Sequence, residues 1–239
     1  EREDLRVVIH CDSTYSDGHN PVHEIALAAT ELGYKYLTMT GLSQAAGYAG
    51  GLQTYRIEEQ QKEIGALNDK LDGCRLIKGI ETGIRADGSM DYDEDVLKTF
   101  EVIVVSVHSN LDMTEEVATT RVVKAIENPY TRILGHPTGR LLITRKGYDL
   151  DFEKVFDACV ANNVAIEINA NCKRLDLDWR HVRRARDKGV KLCLSPDAHS
   201  TGAIDFVRYG VGIARKGWLE PEDVLNTLGT DDFLVWCAR

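Results

Sequence analysis

The chain has 239 residues, 43% of them hydrophobic, which is enough for one large core and within the range of a single α/β barrel. Its formal charge of −9, from 29 Lys and Arg against 38 Asp and Glu, excludes a broad basic footprint and confines any polyanion binding to a local groove. Six scattered cysteines form no Cys-x-x-Cys pair, which excludes a zinc ribbon or a dithiol redox centre, and no apolar run approaches the ~18 residues of a membrane span. The expectation is a cytoplasmic protein with buried, reduced thiols. The start at Glu1 reads as a segment of a longer polypeptide.

In chain order, residues 6–10 form an apolar strand that empties into a polar, Gly-terminated loop carrying His10, Asp12 and Asp17. A helix over 21–32 stops at Gly33, and a second strand over 35–40 leads into a Gly- and Ala-rich loop, 41–51, read as a mobile lid. A long helix over 54–71 is followed by strand 75–81, which ends in Glu81. The Asp87-Gly88 pair predicts a small hairpin. Helix 93–99, strand 101–107, helix 114–127 and strand 131–134 come next. A loop over 140–148 precedes helix 151–162, strand 164–168, helix 178–188 and strand 190–194. Helical pieces over 204–217 and 221–228 close the chain. Seven strand-helix units with continuously apolar strands predict a parallel sheet covered on both faces. A distorted (β/α)7 barrel is the first reading, and an open doubly wound sheet the alternative.

The chemistry sits at strand ends. Of the seven histidines, His10, His108, His136 and His199 occupy such ends, as do Glu81 and Asp197. In a parallel barrel those ends converge on one face. One such His alone is as readily a structural imidazole, but the set together points to a metal site. Four carboxylates, Asp12, Asp17, Glu81 and Asp197, on one rim would repel each other unless cations neutralise them. Mixed imidazole and carboxylate donors suit Zn, Mn or Fe, and with two or more ions the natural chemistry is hydrolysis at phosphorus. His19 is a weaker candidate ligand, and His23 and His181 lie on predicted helices. Arg140, just past His136, either binds a phosphate through its planar fork or makes a structural salt bridge. Arg183, Arg184 and Arg186 form a basic helical cluster, read first as a solvated face and second as a DNA contact.

These residues resemble the polymerase and histidinol phosphatase (PHP) family, and the similarity covers essentially the whole chain. The phrases Gly135-His136-Pro137-Thr138-Gly139-Arg140, Glu167-Ile168-Asn169-Ala170-Asn171, Asp197-Ala198-His199-Ser200 and Arg208-Tyr209-Gly210-Val211-Gly212 look most like the branch appended to bacterial family X DNA polymerases. The resemblance implies one PHP domain over 1–239, a distorted seven-unit barrel, and metal-dependent phosphodiesterase action as a 3′-to-5′ exonuclease in DNA repair. Its implied partner is a DNA 3′ end reached through the full-length polymerase, in the bacterial cytoplasm and at the nucleoid.

By matching positions, one metal would take His10, Asp12, Glu81 and Asp197. A second would share Glu81 with His108 and His136, and a third would use Asp17 and His199. Glu81 and Asp197 are the implied catalytic carboxylates. Two positions depart from the pattern: Asp12 stands for a His, and Leu42 stands for the His that follows strand two. Asp12 shifts its site toward oxygen-preferring ions such as Mn2+, with Zn2+ the alternative. Leu42 coordinates nothing, so one or two ions are expected in preference to three. A small-molecule phosphomonoesterase and a catalytically silent scaffold for the polymerase are the rival functions.

Overall fold

A computed structural model describes residues 1–44 and 50–238. Seven parallel strands pair in chain order without reversal: β1 (Val7–Cys11), β2 (Tyr36–Met39), β3 (Arg75–Gly83), β4 (Val102–Ser106), β5 (Ile133–Leu134), β6 (Ala165–Asn169) and β7 (Leu192–Ser195). This order is that of a (β/α)7 barrel and rules out the doubly wound alternative, in which strand order reverses at a switch point. β1, β4 and β6 are buried at every residue, which is why they read as largely apolar runs. The outer wall is built from α1 (Val22–Glu31), α2 (Thr54–Asn68), α3 (Glu94–Leu97), α4 (Glu115–Ile126), α5 (Phe152–Asn162), α6 (Trp179–Asp187) and α7 (Val207–Lys216). The loop read as a lid has residues 45–49 outside the described residues.

Inward-facing residues Val7, Ile9, Tyr36, Ile77, Val102, Val104, Ile133, Ala165 and Cys193 make a second core inside the barrel. A helix absent from the sequence reading, α8 (Thr230–Cys237), plugs its lower end with Phe233, Trp236 and Cys237. Their three- and four-residue spacing places them on one helical face, and the Phe233 ring lies 5.3 Å from that of Tyr36. The helical piece expected over 221–228 is instead two 3-10 turns, Pro221–Asp223 and Leu225–Thr227. Continuous helix is lost because Leu225 and Asn226 turn inward and are buried.

Asn226 stitches the seam where β7 meets β1. Its Nδ2 donates to Val7 O at 3.1 Å and Leu194 O at 2.8 Å, and its Oδ1 accepts from Leu194 N at 2.7 Å. At the opposite, C-terminal end of the strands, Asp12 N donates to Ala198 O at 2.9 Å and Ala198 N to His10 O at 3.1 Å. That second clasp sets the two strands whose ends carry His10 and Asp197 side by side.

Candidate metal centre

β1 does not run straight into its loop. The register slips between Val8 and Cys11, and His10 sits in the bulge at φ 67°. The hydroxyls of Thr38 and Thr40 accept the N–H groups of His10 and Cys11 at 3.1 and 3.0 Å, which holds the bulge and turns the imidazole into the barrel mouth. His136 and Asp197 also have positive φ, 22° and 51°. Three functional side chains therefore rest on strained backbone, a pattern that clusters at sites where the surrounding fold over-determines geometry.

Glu81, at the end of β3, is the meeting point. Nε2 of His136 and of His108 lie 3.0 and 3.3 Å from its Oε1, and Nε2 of His10 lies 3.4 Å from its Oε2. Three donor sets result, with the donor atoms of each within 4.8 Å of one another: Glu81, His108 and His136; His10, Asp12 and Asp197; Asp12, Asp17 and His199. All eight residues named as ligands from sequence thus fall into one cluster, and Asp12 belongs to two sets. His19 is exposed and belongs to none of the sets found among the described residues; its backbone N–H donates to His199 O at 2.7 Å. Leu42 pairs with Glu81 through backbone alone.

Glu167 was missed as a functional residue. Fully buried on β6, its Oε1 lies 2.6 Å from His10 Nδ1, while its Oε2 accepts from His136 N at 2.6 Å and Asn169 Nδ2 at 3.1 Å. An ionised carboxylate only accepts, so His10 Nδ1 carries the proton and leaves the Nε2 lone pair, the one a metal would take, facing Glu81. The signal was present: a Glu within Ala165-Ile166-Glu167-Ile168, an otherwise apolar strand. Asp197 is held in turn by Asn169 Nδ2 at 3.1 Å and Arg174 Nε at 3.2 Å. Arg174 Nη1 is buried and has no hydrogen-bond partner among the described residues.

The electrostatics ask for positive charge. Burial opposes protonation of His10, yet Glu81, Glu167 and Asp197 outweigh it and raise its pKa well above the usual imidazole range. The hydrogen bond to Asp17 lifts His199 to about 10 despite partial burial. Burial pushes Asp12 up to about 8, with His199 and His10 opposing. Burial also pushes Glu81 upward, but His108 and His10 outweigh it and hold it well below the carboxylate range. The carboxylates around His10 and His199 thus make a negative field that a bound cation would neutralise. His10 Nε2, buried without a hydrogen-bond partner among the described residues and facing two carboxylates, fits a metal ligand by position and by chemistry.

Arg140 takes the structural alternative. Its Nε and Nη2 donate to Arg174 O and Leu175 O, and its Nη1 to Asp178 Oδ2 at 2.7 Å, so its fork is occupied by the loop before α6. Phosphate binding at Arg140 is therefore corrected to loop bracing. The basic cluster on α6 is likewise paired: Arg184 with Glu153, and Arg183 and Arg186 with Asp187. His181 stacks on Phe152, ring centroids 4.0 Å apart.

A seven-stranded parallel barrel with an imidazole and carboxylate cluster at the strand ends defines a PHP-like domain. No family model matches the chain. It is 40% identical over 231 residues to the DNA polymerase/3′-5′ exonuclease PolX of Bacillus subtilis (strain 168), covering 97% of this chain and 40% of that protein. The chain thus spans well under half of that relative. A probable phosphatase of Thermoanaerobacter sp. (strain X514) is 25% identical over 232 residues, covering 90% of this chain and 87% of the relative. Among solved structures, the histidinol phosphate phosphatase of Lactococcus lactis, complexed with zinc, L-histidinol and phosphate, superposes with TM-score 0.63 at 16% identity, covering 89% of this chain and 94% of that one. A histidinol phosphatase of Listeria monocytogenes superposes at 0.67 and 15% identity, covering 83% and 97%. The chain is PHP-like, related in sequence to PolX and to phosphatases and in fold to histidinol phosphatases, and these relatives support a phosphoesterase. No described helix is long and apolar enough to cross a membrane.

Proposed function

We propose that this chain is a metal-dependent phosphoesterase acting on the terminal phosphodiester of DNA 3′ ends, as the PHP domain of a longer bacterial DNA polymerase engaged in repair. The observation that carries the reading is the convergence of His10, His108 and His136 on the two oxygens of one buried carboxylate, Glu81. His10, Asp12, Glu81 and Asp197 would hold one ion and Glu81, His108 and His136 another. Asp17 and His199, with Asp12, would form the weaker third position that Leu42 leaves short. Mn2+ suits the added carboxylate at Asp12, and Zn2+ suits the imidazoles. Such ions supply Lewis acidity and a water nucleophile at neutral pH.

The chain's own residues do the rest. Glu167 fixes the His10 tautomer, and Asn169 and Arg174 fix the Asp197 carboxylate. Asp197 would take a proton from the attacking water. The 40% identity to PolX supports the DNA substrate.

A phosphomonoesterase is the second reading, supported by probable phosphatases matched over most of their length. Release of labelled mononucleotides from 3′-labelled single-stranded DNA in Mn2+ tests the two, beside EDTA and Glu81→Ala controls. Release abolished by both controls establishes the nuclease. Hydrolysis of p-nitrophenyl phosphate without action on DNA establishes the monoesterase.

A further inference from the structure

The loop after β5 holds a feature that neither the fold nor the metal centre uses. Residues 138–148 form a short hairpin: Leu141 and Arg145 exchange backbone hydrogen bonds at 2.9 and 2.8 Å, and Tyr148 N closes its base on Thr138 O at 3.0 Å. Gly147 admits no side chain, since a Cβ there would lie 2.5 Å from Thr138 O. Leu142 N donates to Lys173 O at 2.6 Å, and Arg145 Nε to Gly139 O at 2.9 Å. The hairpin is therefore braced, and its tip is set out from a fixed base.

That tip is Leu142 and Ile143. Ile143 is 107% exposed and has φ 74°, a conformation that a β-branched residue adopts only under strain. Stability alone would place Gly or Asn there. An apolar side chain held outward on strained backbone contributes nothing to the core, so it serves something outside the fold.

The surroundings say what. Residues 138–149 and 172–174 carry Arg140, Arg145, Lys146, Lys173 and Arg174, but Asp178 takes Arg140 and Asp197 meets Arg174, so Lys146 and Lys173 are the cations left for a partner in solution. Lys146 meets Asp149 only at 3.7 Å, with both side chains largely in water, so that pair is weakly held. Between the hairpin and the loop after His108 lies a cavity of about 400 Å³ lined by Leu111, Met113 and Tyr148, with Arg145 and Lys146 set against Asp112 and Asp149. The hairpin begins two residues past His136, and it rests on Lys173, the neighbour of the Arg174 that meets Asp197.

We propose that this hairpin and its cavity bind single-stranded polynucleotide beside the metal centre, Leu142 and Ile143 packing on a base while Lys146 and Lys173 meet the phosphates. Apolar wedges set among cations are a recurrent means of gripping nucleic acid, since every base offers an apolar face and every linkage an anion. The inference rests on the phosphodiesterase reading for its biological sense but is tested apart from it.

The test is fluorescence anisotropy of a 5′-fluorescein oligothymidylate in EDTA at low ionic strength, where nothing is hydrolysed. Wild type is compared with Leu142→Ser/Ile143→Ser and with Lys146→Glu/Lys173→Glu. Each double variant is expected to weaken binding about tenfold, and the lysine variant also to flatten the salt dependence. The thermal midpoint and the Mn2+ affinity by titration calorimetry stay as in wild type. Unchanged oligonucleotide affinity in the variants, or none in wild type, overturns the proposal. Unchanged affinity with loss of a concentration-dependent self-association seen in wild type overturns it in favour of a protein contact. Wild-type binding that the variants lose, without 3′-end hydrolysis in Mn2+, leaves this inference standing and removes the nuclease reading.

Discussion

At the scale of single residues, the site depends on groups that never face a substrate. Glu167 holds His10 by Nδ1 and His136 by its backbone N–H, so it sets the direction of two imidazoles at once. Glu167→Gln keeps the volume but no longer requires His10 to donate, and the ring is free to adopt the other tautomer. Mn2+ affinity by titration calorimetry is expected to fall roughly 10- to 100-fold, the usual cost of removing a carboxylate behind a ligating histidine. A fall of less than threefold would assign Glu167 to folding alone. The candidate ligands were legible in the sequence because parallel strands are apolar runs, and a His or Asp that ends such a run stands out. Glu167 showed only as a carboxylate inside an apolar strand, and its role stayed hidden because its partners arrive from β1 and the end of β5. Arg140 misled for the complementary reason: a guanidinium one turn past a ligand looks like a phosphate clamp until Asp178 and two carbonyls are found to fill its fork.

At the scale of elements, two loops show how local chemistry fixes position. Asp178 caps α6, accepting from Arg180 N at 3.0 Å and Arg140 Nη1 at 2.7 Å. Burial pushes its carboxyl upward, but the hydrogen bonds from Arg180 and Arg140 outweigh this and hold it well below the usual carboxylate range. A depressed folded-state pKa gives stability that is complete above the unfolded value of ~3.9 and declines as pH falls further. Asp178→Asn, which keeps the cap but loses the charge, is expected to cost about 1 kcal/mol at pH 7 in urea unfolding. The gap to wild type should stay level down to about pH 5 and narrow below ~3.9. A gap constant down to pH 2 would remove the charge from the account. The hairpin tip makes the opposite kind of prediction. Ile143→Gly relieves the positive φ and is expected to stabilise the chain by about 1 kcal/mol while weakening oligonucleotide binding. Stability and binding moving in opposite directions would identify strain kept for function, whereas an unchanged or lowered midpoint would show that the tip is not strained.

At the scale of the whole molecule, the barrel must close so that β1 and β7 present His10 and Asp197 to one another. The alternation of apolar runs with helices made seven units legible, but nothing in the sequence marked how the last strand returns to the first. Asn226 looks like any turn asparagine, and its partner Val7 lies 219 residues away in sequence. α8 was missed for a related reason: its eight residues are too short to show a period, and Phe233 and Trp236 gain their meaning only from the barrel interior they plug. Replacing Asn226 by Leu fills the same volume but strands Val7 O, Leu194 O and Leu194 N in a buried seam. Unsatisfied buried groups cost about 1–3 kcal/mol each, so urea unfolding is expected to lose about 3 kcal/mol or more. Because the seam joins the two strands that carry His10 and Asp197, Asn226→Leu should also weaken Mn2+ binding, whereas Glu167→Gln weakens it with a smaller loss of stability. Metal affinity left intact in a destabilised Asn226→Leu protein would mean that the Ala198 clasp alone holds the strand ends in register, and that the closure at the far end serves only the core.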